Sequence, residues 1–306
     1  MELIKTHIFS FDRPAQLELL LSSIRQNDVN RQLSVAVQYA YSAPAFQEGY
    51  NILKERFPEI VYLNEEHYES RNTINPLHGD WIFNTYLWLR NYRFRFYSSN
   101  FRDVLLSSLF NTDNEYVMFL TDDSIFYREI KLNNYILNII KESPESAYSL
   151  ALGKNIKGGK YQESPEHISW DLKRRNFSGI WYYPFSVDGR IYNKGMILEN
   201  LQKLSFTNPN TFEAIMVLYH KHKNIFAKIL ANYESSLVGF ELNRVQNTYL
   251  NNNIGLDHHE INDYYLRAFK LNIDFDLTAV DKFRPDIRSV YLSNGLKLIS
   301  LINIRD

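Results

Sequence analysis

Apolar and polar positions in the first 64 residues form blocks that predict strand, helix, strand, helix and strand in turn. Short apolar runs at 3–9, 33–39 and 59–63 predict the strands. Between them apolar residues recur at helical spacing, first behind Pro14 and again in the stretch that ends at Pro58. This alternation within a short stretch indicates right-handed crossovers and a parallel sheet.

The middle of the chain continues the alternation. Residues 80–110 predict mostly helix, which delivers the chain into an apolar strand at 116–120. A helix is predicted at 129–141 and a strand at 146–152. We therefore predict an α/β fold with a mixed, mainly parallel Rossmann-type sheet and helices on both faces.

After Gly153 the pattern changes, and the second half is predicted to be a helical extension of the sheet. Its predicted elements are a mobile polar loop at 153–169, a hairpin at 180–193 that turns at Asp188-Gly189, helices at 194–204 and 209–231, and a helix with a late strand in the tail 261–301. We divide the chain into halves 1–152 and 153–306, within one continuous globular unit, because no linker separates them.

Composition narrows the functional classes. Thirty-four basic and 35 acidic residues nearly balance, which argues against a nucleic-acid partner held by bulk charge. The absence of cysteine excludes disulfides and thiol chemistry. Neither a long apolar span nor a signal peptide is recognisable, so we expect a cytoplasmic protein and leave contact with the inner face of a membrane open.

One stretch of the sequence is compatible with binding to a membrane surface. Residues 80–110 are aromatic and basic, a combination typical of surfaces that bind membranes or nucleic acids. We favour the interpretation that this stretch forms an amphipathic core helix whose arginines extend to the solvent.

The candidate chemistry begins where the apolar run 116–120 stops at Asp122 and Asp123. Ligands of open α/β sheets bind beyond the carboxyl ends of the strands, and two adjacent carboxylates there suit a hard divalent cation. The alternative is that both acids only cap a turn or a helix.

The opening IFSFDRPAQLELLLSSI, the βαβ start and the strand that ends in TDDS resemble nucleotide-sugar glycosyltransferases of the GT-A fold, of the bacterial surface-polysaccharide type. The resemblance implies a nucleoside-diphosphate sugar donor, a glycan or lipid-linked acceptor, and Mn²⁺ or Mg²⁺ as cofactor. It implies that Asp123 binds the metal, that Asp122 contacts the ribose or the metal, and that Asp12 and Arg13 meet the nucleotide.

Three further positions are candidates. Glu213, just inside the helix that Asn208 and Pro209 open, could be the general base of an inverting transferase, or could only complement the helix dipole. The resemblance implies that His258 completes the metal shell; the alternative is an incidental surface pair with its neighbour. Arg71 could hold the diphosphate, or could pair with a nearby glutamate.

Two other functions compete with metal-dependent sugar transfer. A sugar nucleotidyltransferase would share the fold, but the segment SFDRPAQ lacks the glycines that such enzymes place after the first strand. A non-catalytic domain that binds a glycan or a protein partner is the third possibility, against which the carboxylate pair argues. The sequence predicts neither the donor sugar nor the oligomeric state.

Overall fold

A central nine-stranded sheet organises the molecule. The computed structural model describes residues 3–92, 95–172, 179–245, 253–276 and 280–302. The strands are β1 Ile4–Phe11, β2 Leu33–Ala40, β3 Val61–Asn64, β4 His67–Thr73, β5 Phe96–Ser99, β6 Tyr116–Thr121, β7 Ser124–Phe126, β8 Ser146–Ser149, β9 Gln162–Glu163, β10 Ile168–Asp171, β11 Arg190–Asn193, β12 Lys228–Ala231, β13 Leu237–Gly239, β14 Leu271–Phe275, β15 Ile287–Leu292 and β16 Lys297–Ile302.

Helices flank this sheet. They are α1 Pro14–Asn27, α2 Pro44–Arg56, α3 Trp81–Arg90, α4 Phe101–Phe110, α5 Asn134–Glu142, α6 Lys194–Lys203, α7 Pro209–Lys223 and α8 His258–Leu266. No helix within the described ranges is long and apolar enough to cross a bilayer.

The strand order of the sheet is β3-β2-β1-β6-β11-β8-β12-β10-β9. β3, β2, β1 and β6 are parallel neighbours, and only β11 and β10 run against the common direction. The predicted α/β class with a mainly parallel sheet is therefore confirmed. Strands from both sides of residue 152 share this one sheet.

Successive side chains of the central strands point to opposite faces of the sheet, so a hydrophobic core lies on each face. On β6, Met118 and Leu120 join the core beneath α1, α2, α5 and α8, whereas Val117 and Phe119 join the core beneath α3, α4, α6 and α7. All four side chains are fully buried. The predicted helices on both faces are thus present, because a sheet that is apolar on both faces must be covered twice.

Several local predictions were wrong. Residues 180–193 do not form a hairpin, because β11 pairs with β6 and β8 instead of with the residues before it. The helix predicted at 209–231 ends at Lys223, where Asn224 takes a left-handed conformation, and the chain continues as β12. The predicted loop 153–169 contains β9 and the start of β10.

Three more differences concern element bounds. The helical stretch 80–110 is interrupted by β5, which pairs with β4 in a separate two-stranded sheet. The helix predicted from residue 129 begins at Asn134, capped by Asn133. The C-terminal part adds a three-stranded antiparallel sheet, β14-β15-β16, to the single predicted strand.

Candidate active site

The candidate site lies at the carboxyl edge of β1 and β6. These neighbours are parallel, and their register pairs Phe9 with Thr121. The residues that follow each strand, Ser10 to Arg13 and Asp122 to Asp123, therefore meet at one edge, as the carboxyl-edge rule predicts.

Asp122 is buried, and both of its carboxylate oxygens accept hydrogen bonds. Its Oδ2 accepts hydrogen bonds from the Ser10 hydroxyl at 2.8 Å and from the Phe11 amide at 3.3 Å, and its Oδ1 accepts one from Arg13 at 3.0 Å. Burial raises the pKa of this carboxyl to about 6, although the charge of Arg13 opposes the shift. Asp122 therefore acts as an internal brace between the two strand ends.

Arg13 is the cation that holds the pair of carboxylates together. Its Nη1 also donates to Asp123 at 3.2 Å, and its Nε donates to the side chain of Asn243 at 2.8 Å. The side chain of Arg13 is only 7% exposed, so the guanidinium offsets the repulsion of two adjacent acids inside the protein.

Asp123 is the more accessible of the two acids. Its side chain is 21% exposed, and only its Oδ2 accepts from Arg13. Oδ1 accepts no hydrogen bond from the described part of the chain, so one carboxylate oxygen is open to a ligand.

Asp12 is used to shape the backbone beside the site. It adopts a positive φ of 54°, and its carboxylate accepts hydrogen bonds from the amide and the hydroxyl of Ser42, at 2.8 and 2.6 Å. Aspartate is among the few residues other than glycine that tolerate this left-handed conformation. Asp12 thereby joins the ends of β1 and β2.

Glu213 does not lie at the carboxyl edge of β1 and β6. It is in the second turn of α7. The predicted start of this helix is confirmed, since Asn208 caps it through the Thr211 amide at 2.8 Å and Pro209 opens it. The Glu213 carboxylate accepts from the amide of Val187 at 3.2 Å. Burial, reinforced by the charge of Asp188, raises its pKa to about 8.

Asp188 connects Glu213 to the carboxylate pair, and sequence reasoning missed it. Its two carboxylate oxygens accept from Thr121, the residue before Asp122, and from Ser186, each at 3.3 Å. Burial raises its pKa, and the charge of Asp123 adds to the shift. The sequence signal was Asp188-Gly189, which we interpreted only as a turn.

Gly189 shows why the chain bends there. Its φ is 72°, and an added Cβ would collide with the side chain of Leu237. Glycine alone satisfies both constraints, so the chain can enter β11 directly after Asp188.

A cavity of about 340 Å³ opens beside these groups. Its polar wall contains Ser186, Asp188, Arg190 and Glu213, and Phe283 closes one side. This volume lies at the lower end of the range for small-molecule sites, about 300–1,000 Å³. Arg190 donates to the backbone carbonyls of Ile180 and Tyr183, which fixes that wall.

Arg284 is a second site residue that the sequence did not indicate. It pairs with Glu241 at 2.8 Å and is the main positive charge acting on Asp188. Its side chain is 47% exposed. It therefore brings a second cation to the site from 271 positions beyond Arg13 in the chain, which only the tertiary fold could reveal.

Of the two remaining candidates, Arg71 lies apart from this cluster, whereas His258 is close enough to Asp12 and Arg13 for their charges to act on its imidazole. Arg71 is exposed on β4, outside the central sheet, and no described contact joins it to Asp122 or Asp123. His258 begins α8 and stacks on Phe46 with the ring centroids 5.5 Å apart. Burial lowers the pKa of His258, which favours the neutral imidazole, and the charges of Asp12 and Arg13 also act on it.

Whether a divalent metal fits the site depends on which possible metal ligands lie close together. Within the described ranges, no group of three or more His, Asp or Glu side chains comes together to form a closed metal cage. The open oxygen of Asp123 instead suits a metal that takes most of its ligands from phosphates and water, as Mg²⁺ and Mn²⁺ do. The residues fit a metal that arrives with a diphosphate.

Comparison with known proteins gives one curated relative. No family model matches the chain. The bifunctional glycosyltransferase pgtA of Dictyostelium discoideum is 23% identical over a 287-residue alignment that covers 81% of this chain. The chain spans about a third of that relative, since the match covers 33% of its length.

Solved structures give only distant likenesses. S. aureus TarS 1–349 in complex with UDP-GlcNAc aligns with a TM-score of 0.44 and 13% identity, over 82% of this chain and 62% of that one. The mannosyltransferase PcManGT of Pyrobaculum calidifontis, in complex with GDP-Man and Mn²⁺, aligns with a TM-score of 0.39 and 10% identity, over 76% and 55%. These likenesses are too distant to indicate function. The predicted resemblance to the glycosyltransferases is confirmed by the curated relative.

Proposed function

We propose that this chain transfers a sugar from a nucleoside-diphosphate donor to a hydroxyl group of a glycan or a lipid-linked acceptor, with inversion at the anomeric carbon. The observation that supports it most is a linked series of acids. Thr121, beside Asp122 and Asp123, bonds Asp188, and Asp188 lines the same cavity as Glu213. This arrangement supports a site in which the carboxylate pair deals with the charge of a diphosphate and Glu213 accepts the proton of a hydroxyl.

Glu213 is the group that we propose as general base. A base works best when its pKa lies near the operating pH, and the pKa of Glu213 is about 8. Glu213 lines the cavity, and its carboxylate accepts a hydrogen bond from the Val187 amide, so in its ionised form it can accept a proton from a bound hydroxyl.

Asp123 is the residue that we propose to hold a divalent cation, Mn²⁺ or Mg²⁺, together with the donor. When bound, such a cation neutralises the charge that develops on the leaving diphosphate. Asp122 braces the strand ends, and Arg13 keeps the Asp123 carboxylate oriented. The half-exposed Arg284 is the further cation that we expect to meet the diphosphate.

The decisive experiment measures release of UDP or GDP from a panel of sugar nucleotides, with Mn²⁺ and then with chelator. We expect turnover with at least one donor, dependent on metal and lost in Asp123→Asn. Lys141→Gln, which removes an exposed pair with Glu115, is the matched control. Pyrophosphate release from a sugar phosphate and a nucleoside triphosphate would instead support a nucleotidyltransferase.

Calorimetry separates binding from turnover. UDP and GDP should bind weakly in chelator and more tightly with Mn²⁺. Equal affinity under both conditions would remove the metal from the proposal. Tight binding of a glycan without any turnover would support a non-catalytic domain.

A further inference from the structure

Helix α3 is apolar on the face that it turns to solvent. Its inner face contributes Phe83 and Leu87 to the core. On the opposite face, three successive turns present Ile82, Tyr86 and Leu89, which are 57%, 48% and 65% exposed. A surface helix of a soluble protein normally carries polar residues there, and a helix that is apolar all round is typical of burial or of membrane contact.

Exposed apolar side chains are also present at both ends of the helix. Leu77, Trp81 and Tyr92 are 69%, 58% and 62% exposed at its two ends. Together with the three residues on the outer face of α3, they form what we call the α3 patch. Exposed apolar residues that cluster on one element mark an interaction site, whereas single exposed apolar residues are ordinary.

The segment that carries most of the α3 patch is positively charged. Residues 81–99 contain three arginines and no acidic residue. The guanidinium of Arg90 lies over the ring of Tyr86, and that of Arg95 lies over the rings of Trp88 and Tyr92. Their described hydrogen bonds go to a tyrosine hydroxyl and to backbone carbonyls, so both keep their charge uncompensated by a carboxylate.

The nearest acid in sequence, Asp80, does not offset this charge. Its carboxylate caps α3 through the amide of Phe83 at 3.2 Å, accepts from the Tyr219 hydroxyl at 3.1 Å and pairs with Lys223 at 3.5 Å. It is therefore already neutralised on the inner side of the helix. Glu69 on β4 is the exposed acid that remains in the neighbouring two-stranded sheet.

We propose that the α3 patch binds the surface of an anionic lipid bilayer, with α3 lying in the plane of the interface. Trp and Tyr side chains suit the headgroup level, because one end is apolar and the other hydrogen-bonds. Leu and Ile reach the acyl boundary, and Arg90 and Arg95 meet the lipid phosphates. A second copy of the chain is a poorer occupant, because a two-fold contact would bring arginines of both copies together without an acid in residues 81–99 to pair with them.

The position of α3 relates the proposed membrane contact to the candidate active site. Phe83 packs edge-on against Tyr219, with the ring centroids 4.9 Å apart, so α3 is fastened to α7. The same helix α7 carries Glu213 in its second turn. A chain held at the bilayer through α3 would therefore keep the cavity near lipid-linked acceptors. Vesicle binding itself does not depend on the proposed transfer reaction.

Vesicle flotation tests the proposal with the full chain. The probes are vesicles of phosphatidylcholine alone and of phosphatidylcholine mixed with phosphatidylglycerol, at low and high salt. We expect binding to the anionic vesicles that weakens as salt rises. The double substitution Ile82→Ser with Leu89→Ser should weaken it at least about tenfold, because two large apolar side chains lose their burial.

Val29→Ser is the matched control, since Val29 is 67% exposed in the turn between α1 and β2. It should bind like the unmodified chain. Arg90→Gln should weaken binding by roughly fivefold and reduce its salt dependence, as loss of one lipid-facing charge predicts.

Three results would overturn the proposal. They are absence of binding to both vesicle types, equal loss in the Val29→Ser control, and a concentration-dependent dimer in size-exclusion chromatography that Ile82→Ser abolishes. Circular dichroism on each variant confirms that the fold is retained, which is expected for substitutions of exposed side chains.

Discussion

Nη1 of Arg13 lies 3.0 Å from Oδ1 of Asp122, which joins residues 109 positions apart at the carboxyl edge of the sheet. The same nitrogen lies 3.2 Å from Asp123. Two adjacent carboxylates would repel each other inside the protein, and one buried guanidinium removes that repulsion. The acid pair that could serve a ligand is therefore also a structural element.

Removing this cation should destabilise the fold. We expect Arg13→Met to lower the free energy of unfolding by about 3–5 kcal/mol at neutral pH, because a buried acid loses its partner. Chemical denaturation measures the loss. Arg25→Met is the control, since Arg25 pairs with Glu59 on the surface and should cost about 1 kcal/mol or less.

The loss in Arg13→Met should depend on pH. Without Arg13 the pKa of Asp122 rises further above its unfolded value, so the folded state holds a proton that the unfolded state releases. Stability then falls as pH rises through that window. The deficit relative to the unmodified chain should be smallest near about pH 4 and largest near neutrality. An equal deficit at both would argue against Asp122 as the group left unpaired.

Glu213→Gln should slow transfer. If Glu213 takes the acceptor proton, kcat should fall by about 10²–10⁴ while donor KM stays the same. Steady-state kinetics on one donor and one acceptor checks this. A kcat within about threefold of the original, far below that range, would move the base elsewhere or indicate a retaining mechanism.

The pH profile gives a second readout of the same residue. Because the pKa of Glu213 is about 8, kcat/KM should rise with pH and level off above that value. Glu213→Gln should lack this rise. A variant that keeps it would show that another group titrates.

Glu213 should also make the fold less stable at high pH. Its folded pKa of about 8 lies above the ordinary value of 4.5, so the folded state holds the proton between these pH values and stability falls as pH rises across them. The slope for one proton is about 1.4 kcal/mol per pH unit. Glu213→Gln should therefore be more stable than the original above pH 8 and nearly equal near pH 4.5, as thermal melts at both would show.

Asp188→Asn should shift the activity profile instead of abolishing it. Asparagine keeps the shape of the side chain, with an oxygen that accepts from one of the two hydroxyls of Thr121 and Ser186 and an NH₂ group that donates to the other. It removes a negative charge that raises the pKa of Glu213. The rise of kcat/KM should therefore move to lower pH. Asp171→Asn, whose acid lies exposed at the end of β10, should leave the profile unchanged. A profile that does not move in Asp188→Asn would mean that Asp188 and Glu213 do not interact.

The sequence by itself determined the elements of the first 64 residues and the strand-end acids. Periodicity is a local property, so β1, α1, β2, α2 and β3 and the cap of α7 could be predicted from short windows. The carboxyl-edge rule then placed Asp122 and Asp123 at the rim of the sheet, and the family resemblance added Arg13. The role of Arg13 as their shared cation was not foreseen, because a sequence does not show which side chains meet.

Only the tertiary structure decided where β11 pairs. Asp188-Gly189 has the local chemistry of a hairpin turn, but Ile191 and Tyr192 gain more burial between β6 and β8 than a two-stranded hairpin could provide. That long-range pairing carries Asp188 to Thr121. Strand pairing is set by burial against distant partners, which local propensity does not record.

The outer face of α3 also depends partly on the sequence and partly on tertiary contacts. The sequence determined that residues 81–90 are apolar and helical, and this favoured a core helix. A ten-residue helix can turn only one face to the core, and packing against Tyr219 selected the face of Phe83 and Leu87. Which apolar residues remain at the surface was therefore decided by tertiary contacts, because apolar residues on every side leave the helix without a local preference for one face.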